Sequence, residues 1–481
     1  MFYSIQHFFE KDISNLVQIK ENFYQNPREV YEFIEGIHTE VLKLGRNLVE
    51  ETLEELDGML CTSGKRSQKW NIENTVRKSL LTTMGMIEYK KTCFEEKESG
   101  RHRYLLDEVM GIESHARMTE DVEVKILEEA VETSYEKAGS KAVRNEKISR
   151  QTVKNKIEKL EIPIEREKKE KKREVKYLYV EADEAHVALQ YKEKRGDLKG
   201  KKYKGCEVAK VVYVHEGGKK REKKAARKEL KHVHYFCGTY RGKEKTEELW
   251  KEVEEYIGNT YEVEKIEKIY FQTDGGSWMK RGREIEKSEF VLDEFHLEKY
   301  KKKALYGIEE REKEEKQLEE WLKEKKKRKL KEWLKKRTEG EEERIRKKRE
   351  EGIGYLINNI EGAGNRLKRE EGVEGSSTEG HVSFVLAERM SSRPMGWSRK
   401  NVDQMSKLRA YVKNGGDMLS LLRKQRKEEE VLKEEVEEML SCSQMIRSER
   451  KNKAGSGKWI EAIQAQLSPT IKMQYYFHQH V

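Results

Sequence analysis

Two aspartates stand at the ends of strand-like runs, where their side chains could hold divalent cations. Asp183 ends a run that begins Tyr177-Leu-Tyr-Val180, and Asp274 follows the run Ile266–Phe271 and precedes Gly275-Gly276. Divalent cations held by carboxylates neutralise a scissile phosphate and activate a water or hydroxyl for phosphodiester chemistry. Magnesium keeps several waters, so few carboxylates are needed. An aspartate at a strand end is also a common turn or helix-cap residue, so this pattern alone yields only candidates.

The segments around these aspartates predict an α/β fold with a mixed sheet. Several β-branched and aromatic runs come first, and a helix then alternates with further strands. The predicted strands are Tyr177–Val180, Val187–Tyr191, Val208–Val214, His232–Cys237, Ile266–Phe271 and Phe290–Leu292, with an amphipathic helix at Glu247–Tyr256. The two aspartates therefore come from separate segments that can meet only in the folded chain.

Residues 116–164 predict a helix-turn-helix. The first helix has Val124, Leu127, Val131, Tyr135 and Ala138 on one face, and Gly139 can end it. The second begins after Ser149 as N-cap, and its buried face is Val153, Ile157 and Leu160. Its outward side chains are Arg150, Gln151, Lys154 and Asn155, which can bind base edges and phosphates in a major groove. An ordinary helical hairpin with a polar outer face is the alternative.

Residues 1–115 predict helices followed by a β-hairpin. An apolar stripe with helical spacing runs through Val41, Leu42, Leu44, Leu48 and Val49, which indicates packing or an oligomer surface. The hairpin candidate joins Met86–Tyr89 to Arg103–Leu106 through the polar stretch Glu95–Gly100.

Residues 301–370 predict a helical insertion rich in Lys, Glu and Arg. Leu-x-x-Trp-Leu occurs twice, starting at Leu318 and at Leu330. That offset turns the second patch by roughly 120° on a straight helix. We therefore expect either a break near Lys325–Arg328 or a helix that touches two partners.

The bulk composition suits a protein that meets a polyanion, without proving it. The net charge is +10 over 481 residues, which is also compatible with an ordinary solvated surface. Five scattered cysteines without a CxxC pair argue against a disulfide framework and a zinc ribbon. We expect a cytoplasmic protein without membrane contact, because we find neither an apolar run of membrane-spanning length nor a secretion signal.

Four segments resemble the insertion-sequence transposases of the ISLre-two type. They are Val180–His186 (VEADEAH), Asp274–Trp278 (DGGSW), Val291–Tyr300 (VLDEFHLEKY) and Glu379–Ser398 (EGHVSFVLAERMSSRPMGWS). The resemblance implies a DDE-type enzyme with an RNase H-like core. Asp183 would be the first metal ligand, on the first strand, and Asp274 the second, after the fourth strand. Glu379 would be the third, on a helix beyond the insertion. Two Mg²⁺ (or Mn²⁺) ions would be bound.

The same resemblance suggests further residues near the reacting phosphate. Asp293 and His296 would contact the phosphate or support the metal ligands, although His296 could equally be structural, and His381 would lie close to Glu379. Arg393 and Trp397 could contact a DNA backbone or stack on a base, or else form an ion pair and a core aromatic.

The function expected from the sequence is that of a bacterial-type transposase. It would cut and join double-stranded DNA at element ends and target, as a homo-oligomer. The alternatives are a metal-dependent nuclease without strand transfer and a non-catalytic helix-turn-helix DNA-binding protein. The expected domains are 1–115 (helices and hairpin), 116–164 (helix-turn-helix), 165–300 and 371–415 (catalytic core), 301–370 (insertion) and 416–481 (helical tail).

Overall fold

A computed structural model describes residues 3–163, 171–191, 205–220, 228–393 and 395–425. The chain forms two compact units. Among the described residues, the first unit contains 3–130, 134–153 and 422–425, and the second contains 131–133 and 154–421. No described helix is long and apolar enough to cross a lipid bilayer.

The first unit begins with helices that pack along one long helix. They are α1 (Tyr3–His7), α2 (Ile13–Gln25), α3 (Val30–Thr62) and α4 (Gly64–Lys69), with a π-helical turn at Phe8–Asp12. Asp12 is buried, and its carboxylate pairs with Lys43 at 2.7 Å. Phe23 and Phe33 stack with their ring centroids 4.5 Å apart. These contacts make α2 and α3 an antiparallel pair.

A hairpin does turn at the predicted polar stretch, where Phe94 and Glu95 pair with Arg103 and His102, but the longer hairpin lies one turn earlier. Strand β1 (Trp70–Thr82) pairs with β2 (Gly85–Glu96), and β3 (His102–Arg103) is only a short addition. Leu105 and Leu106, predicted as strand, are buried in helix α5 (Leu105–Val109). Most of β1 is solvent-exposed and polar, so it lacks the alternation of apolar residues by which a strand is recognised.

The helix-turn-helix region contains three helices where two were predicted: α6 (Glu120–Glu132), α7 (Tyr135–Lys141) and α8 (Arg150–Lys159). Ser134 caps α7 by accepting a 3.3 Å bond from the Lys137 amide. Gly139 does not end a helix but lies inside α7, where a Cβ would come within 2.1 Å of the Ile148 carbonyl oxygen. Ser149 does precede the last helix and accepts from the Thr152 amide at 3.1 Å. The predicted buried face of α8 is confirmed.

The second unit is built on a mixed five-stranded sheet, which confirms the mixed α/β prediction. Its strands and main helix are β4 (Tyr177–Ala188), β5 (Cys206–His215), β8 (His234–Gly238), α9 (Gly242–Thr260), β9 (Lys268–Thr273) and β10 (Ser288–Leu292), with a small ribbon of β6 (Gly218–Lys220) and β7 (Lys228–Leu230). The strand order is β10-β9-β4-β5-β8. Strands β4, β5 and β8 are antiparallel neighbours, and β9 and β10 run parallel to β4.

Alternation along the strands gives the sheet two different faces. On one face Leu178, Val180 and Ala182 of β4 join the main core with Trp250 of α9. On the other, Tyr179 and Tyr270 lead to polar side chains toward the strand ends. Because successive side chains point to opposite faces, Glu181 and Asp183 belong to the second face.

The predicted insertion consists of α10 (Glu294–Ala304), α11 (Arg311–Lys323), α12 (Lys327–Thr338), α13 (Glu343–Asn358) and α14 (Ile360–Lys368). The predicted break is confirmed, since α11 ends before Lys325, which has φ +55°. Both Leu-x-x-Trp-Leu patches then join the main core, with Leu318, Leu322, Leu330 and Trp333 buried. The insertion therefore shares its core with the sheet.

The chain returns to the sheet through short helices. These are α15 (Thr378–Val382), a π-helical turn at Ser383–Ala387, α16 (Glu388–Met390), α17 (Arg399–Lys413) and α18 (Met418–Gln425). Asp403 holds α17 on β8 by accepting a 2.8 Å bond from the Thr239 amide. Most of the predicted tail 416–481 lies outside the described residues.

Candidate metal-binding active site

Asp183 and Asp274 lie on neighbouring parallel strands at the same level of the sheet. Ala182 of β4 pairs with Thr273 of β9, so the next residue on each strand is one of the two aspartates. Asp274 follows the carboxyl end of β9, whereas β4 continues past Asp183 to Ala188, so the prediction that Asp183 ends its strand is wrong. The predicted strand Val187–Tyr191 begins inside the same β4. The register therefore brings together two carboxylates that are far apart in sequence.

Asp293 extends this pair into a row across three strands. Leu292 of β10 also pairs with Thr273, so Asp293 follows at the level of Asp274. Its Oδ2 accepts bonds from the amides of Phe295 at 2.9 Å and His296 at 3.4 Å, which caps α10. We call Asp183, Asp274 and Asp293 the aspartate row.

Backbone amides orient the first two carboxylates. Oδ1 of Asp183 accepts a 2.7 Å bond from the Glu184 amide, and Oδ1 of Asp274 accepts a 2.9 Å bond from the Gly276 amide. Gly275 has φ +85°, and a Cβ there would lie 2.1 Å from the Asn359 side-chain oxygen. The turn after Asp274 therefore needs glycine both for its backbone conformation and for space.

The electrostatics of the row show an excess of negative charge. Burial, together with the negative charges of Asp274 and Asp293, raises the pKa of Asp183 to about 6, although the Glu184 amide and His296 oppose the shift. Burial acts on Asp293 in the same direction, but the neighbouring His296 outweighs it and lowers the pKa of Asp293. The two side chains lie 3.6 Å apart. A cation near Asp183 and Asp274 would relieve the remaining repulsion.

Beneath the row lies a buried acid that sequence reasoning missed. Glu181 is fully buried, and its carboxylate accepts bonds from the Tyr213 hydroxyl at 2.7 Å and the Thr378 hydroxyl at 2.9 Å. His215 Nε2 lies 3.0 Å from it, and the Ser377 amide donates at 3.0 Å. The alternation of β4 puts Glu181 on the same face as Asp183. No local pattern shows that Tyr213 and His215 lie 32 and 34 residues further along the chain and that Ser377 and Thr378 lie nearly 200 residues further.

Glu379 follows directly on this network, at the first turn of α15. Its side chain is exposed, while the hydroxyl of Ser376 contacts both Glu181 and Asp293. Within the described parts of the chain, no three potential ligand atoms around Asp183 and Asp274 lie within 4.8 Å of one another. The assignment of Glu379 as third metal ligand thus stays a prediction. The one described set that meets this distance, Glu73, Glu95 and His102, is a surface ion-pair cluster in the first unit.

His381 belongs to an aromatic cluster. Its ring stacks on Tyr213 with centroids 4.7 Å apart, and its Nδ1 lies 2.6 Å from the Tyr235 hydroxyl. Burial lowers the pKa of His381. The neutral ring is therefore favoured here, and its role near the phosphate stays a prediction.

For Trp397 the base-stacking alternative is wrong. Its ring is buried, its Nε1 donates to the Met390 carbonyl at 3.1 Å, and the Arg389 guanidinium lies 4.8 Å from the ring centroid. It is a core aromatic, and its backbone forms an isolated bridge with Leu189. Arg393, in contrast, is exposed.

Three of the four side chains predicted to meet DNA on α8 have the expected exposure. Arg150, Gln151 and Asn155 are exposed, and Lys154 is half-buried with its Nζ 3.3 Å from Glu158. Their contact with DNA stays a prediction.

Comparison with known proteins shows which protein family the chain is similar to. Residues 24–454 match the model of an uncharacterised protein family, UPF0236. A UPF0236 protein of Caldanaerobacter subterraneus subsp. tengcongensis is 40% identical over 406 residues, covering 84% of this chain and 82% of the relative. Two others from the same organism are 38% identical over 418 residues, again covering 84% of this chain and 83% and 82% of the relatives. The first relative's name joins eleven numbered designations from that one organism, and the third joins four. The chain belongs to the UPF0236 family.

Proposed function

We propose that the protein is a DDE-type transposase that cuts and joins DNA strands at the ends of an insertion sequence. The observation that carries the proposal is the register that places Asp183, within β4, beside Asp274, which follows the carboxyl end of the neighbouring parallel strand β9. It is the arrangement that two-metal phosphoryl transfer requires of residues far apart in sequence.

The order of elements supports an RNase H-like core. Asp183 lies on β4, the first strand of the five-stranded sheet in chain order, and Asp274 follows β9, the fourth. Glu379 lies on a helix that comes after the helical insertion. These are the positions that the transposase resemblance assigns to the three metal ligands.

The donor set of the aspartate row fits magnesium. Mg²⁺ binds through one or two carboxylates and retains waters that substrate phosphates can replace. Asp183 and Asp274 each have one oxygen held by a backbone amide, which orients the carboxylate and leaves Oδ2 to face a cation. When bound, the ions would neutralise the phosphate charge and make a water or a 3′ hydroxyl nucleophilic.

The chain's own groups would position the reacting DNA. Asp183 and Asp274 would fix the phosphate indirectly, through the ions they hold. His296, whose buried Nδ1 has no hydrogen-bond partner among the described residues, has its pKa raised by Asp293 and would add positive charge beside the row. Arg150, Gln151 and Asn155 on α8 would recognise the element end.

The names of the relatives support the proposal that the coding sequence belongs to a mobile DNA element. We interpret the eleven designations joined for one protein as separate copies in a single genome. Repeated copies of one coding sequence are what an element that moves or copies itself leaves behind. A non-catalytic DNA-binding regulator would not by itself produce many copies of its own coding sequence in one genome.

The test is cleavage and joining of DNA that flanks the coding region. Purified full chain with Mg²⁺ should cut at the element ends and join them to target DNA, and EDTA should abolish both. Asp183→Asn and Asp274→Asn should remove at least 100-fold of the cleavage rate, roughly 3 kcal/mol of barrier, and still bind the end DNA. Glu286→Gln, an exposed carboxylate outside the row, is the matched control.

Each result decides something definite. Full activity in either aspartate variant would rule out the metal assignment. Cutting without joined products would favour the metal nuclease, and binding without cutting would favour the non-catalytic DNA-binding protein. Loss of joining in Glu379→Gln, with DNA binding intact, would identify the third ligand.

A further inference from the structure

The α2–α3 hairpin of the first unit exposes an apolar face with one cation in it, Lys20, whose Nζ lies 5.4 Å from the centroid of the Tyr24 ring. On α3, Val30, Ile34, Ile37 and Val41 are spaced by four, three and four residues, and 36–58% of each is exposed. On α2, Ile13, Val17 and Tyr24 are 37–66% exposed. We call these seven residues the hairpin face. An apolar patch of this kind on a protein surface often marks an interaction site.

The seven residues lie on one side of the hairpin. The packed sides of the two helices are defined by the contacts Asp12–Lys43, Asn15–Glu40 and Phe23–Phe33. From these contacts, helical rotation of ~100° per residue turns the apolar residues of both helices toward the same direction. Gln18 and Gln25 of α2 turn toward the opposite side, and both are exposed. The hairpin is therefore amphipathic across its width.

The spacing specifies a helical partner. Alternating steps of three and four residues are the pattern with which helices interlock side by side in bundles and coiled coils. Leu44 and Leu48 continue the steps and are half-buried near Glu51, which accepts hydrogen bonds from the amides of Tyr3 and Ser4 in α1. A short helix thus already lies beside one end of the stripe, while the part from Val30 to Val41 is open.

We propose that the hairpin face docks the same face of a second copy of this chain, which forms a four-helix bundle about a twofold axis. A twofold contact is self-complementary, because each hairpin offers the partner the surface that it needs. Charge permits this location, since two chains of net charge +10 repel at most surfaces, whereas the hairpin face has one cation, Lys20, among its uncharged side chains. Antiparallel hairpins joined in this way bury all seven residues from both copies.

The size of the face sets the strength of the dimer. Val30–Val41 spans about 18 Å along the helix, and two helices side by side are about 20 Å wide. A flat footprint of that size is about 360 Å² per partner, below the roughly 600 Å² per partner at which stable interfaces begin, so it belongs with weak and transient contacts. The dimer should therefore dissociate on dilution through the micromolar range.

The experiment is sedimentation velocity of the full chain across that concentration range. Wild type should shift from dimer to monomer on dilution. The Ile34→Glu, Ile37→Glu double variant should be monomeric throughout, with unchanged circular dichroism. The matched control, Gln18→Glu with Gln25→Glu, adds the same charge on the opposite side of α2 and should dimerise like wild type.

A second measurement identifies what covers the face. Photoreactive benzoylphenylalanine in place of Ile37, in a mixture of light and ¹⁵N-labelled chains, should cross-link α2 or α3 of different chains. Links confined to residues 426–481 of the same chain would overturn the proposal. It would also fail if wild type were monomeric at every concentration, or if the folded double variant stayed dimeric. Asp183→Asn should dimerise normally, so loss of catalysis and loss of dimerisation are separable.

Discussion

The hydroxyl of Thr378 donates a 2.9 Å hydrogen bond to the carboxylate of Glu181, which precedes it by 197 residues. This bond ties the start of α15 to the strand that carries Asp183. Because Glu379 is the next residue after Thr378, the position of the predicted third ligand depends on a buried acid that touches no substrate. Glu181 is in this sense a positioning residue.

Replacing Glu181 with Gln should destabilise the second unit. The carboxylate accepts from Tyr213, Ser377 and Thr378 and lies against His215. The glutamine side-chain amide has one acceptor oxygen in place of two, and its NH₂ group points two donors at groups that themselves donate. Some of the buried hydrogen bonds to Tyr213, Ser377 and Thr378 must therefore be lost. Each buried bond to a charged group contributes about 1.5–3 kcal/mol, and we expect a loss in that range. Urea unfolding measures it, with Glu286→Gln as control, and an unchanged midpoint would contradict the positioning role.

Mg²⁺ should stabilise the folded protein through the aspartate row. A ligand that binds only the native state raises its stability by an amount that grows with concentration. Wild type should therefore melt at a higher temperature in millimolar Mg²⁺, while Asp183→Asn and Asp274→Asn should not respond. Without metal, Asp183→Asn should melt no lower than wild type, since burial and neighbouring charges disfavour the carboxylate. An equal Mg²⁺ response in wild type and both variants would place the ion elsewhere.

Gly275→Ala and Gly258→Ala should have opposite effects. Alanine at 275 would need φ +85° and would place its Cβ 2.1 Å from the Asn359 oxygen. A strained position of this kind costs about 1–3 kcal/mol, and the turn beside Asp274 should shift, lowering cleavage. Gly258 lies inside α9 with open space around it, so alanine there should stabilise by about 0.5–1 kcal/mol. Equal denaturation midpoints for the two variants would refute this account of the turn.

Lys301→Met should weaken the packing of the insertion. The ammonium is buried, lies 2.8 Å from Glu298 and 3.0 Å from Glu315, and also bonds to Glu319. Burial alone would lower the pKa of Lys301, but the three glutamates outweigh it and raise the pKa. The contribution of charged Lys301 to the free energy of unfolding is therefore complete at pH values below its pKa in the unfolded chain, about 10.4. It is lost only as the pH rises through its higher pKa in the folded protein. We expect a loss of about 1 kcal/mol at pH 7, because the three glutamates are partly exposed and stay solvated when the ammonium is removed. Urea unfolding measures it, and an unchanged midpoint would contradict it.

Arg150→Ala should weaken recognition of the element end more than general DNA binding. A side chain that reads a base contributes roughly 1–3 kcal/mol of discrimination, whereas a phosphate contact weakens binding to all sequences alike. Fluorescence anisotropy with end DNA and with scrambled DNA, at two salt concentrations, separates the two. Lys243→Ala removes the same charge from an exposed position on α9 and serves as control. Equal losses on both DNAs would exclude base recognition by Arg150.

Some local features of both units were predictable from the sequence because they depend only on neighbouring residues. The strand runs before Asp183 and Asp274, the cap at Ser149 and the break near Lys325 each follow from spacing or from a single residue type. The same reasoning failed on β1, whose polar exposed face leaves no alternation to recognise, and on the division between α6 and α7.

Only the tertiary structure decided which distant residues meet. The register between β4 and β9 aligns Asp183 with Asp274, and a shift of one residue would turn one carboxylate to the other face. The partners of Glu181 and the burial of Trp397 depend likewise on segments that return from far along the chain. Composition and periodicity describe one segment at a time, whereas pairing between strands and burial against helices are set by the free energy of the whole packed unit.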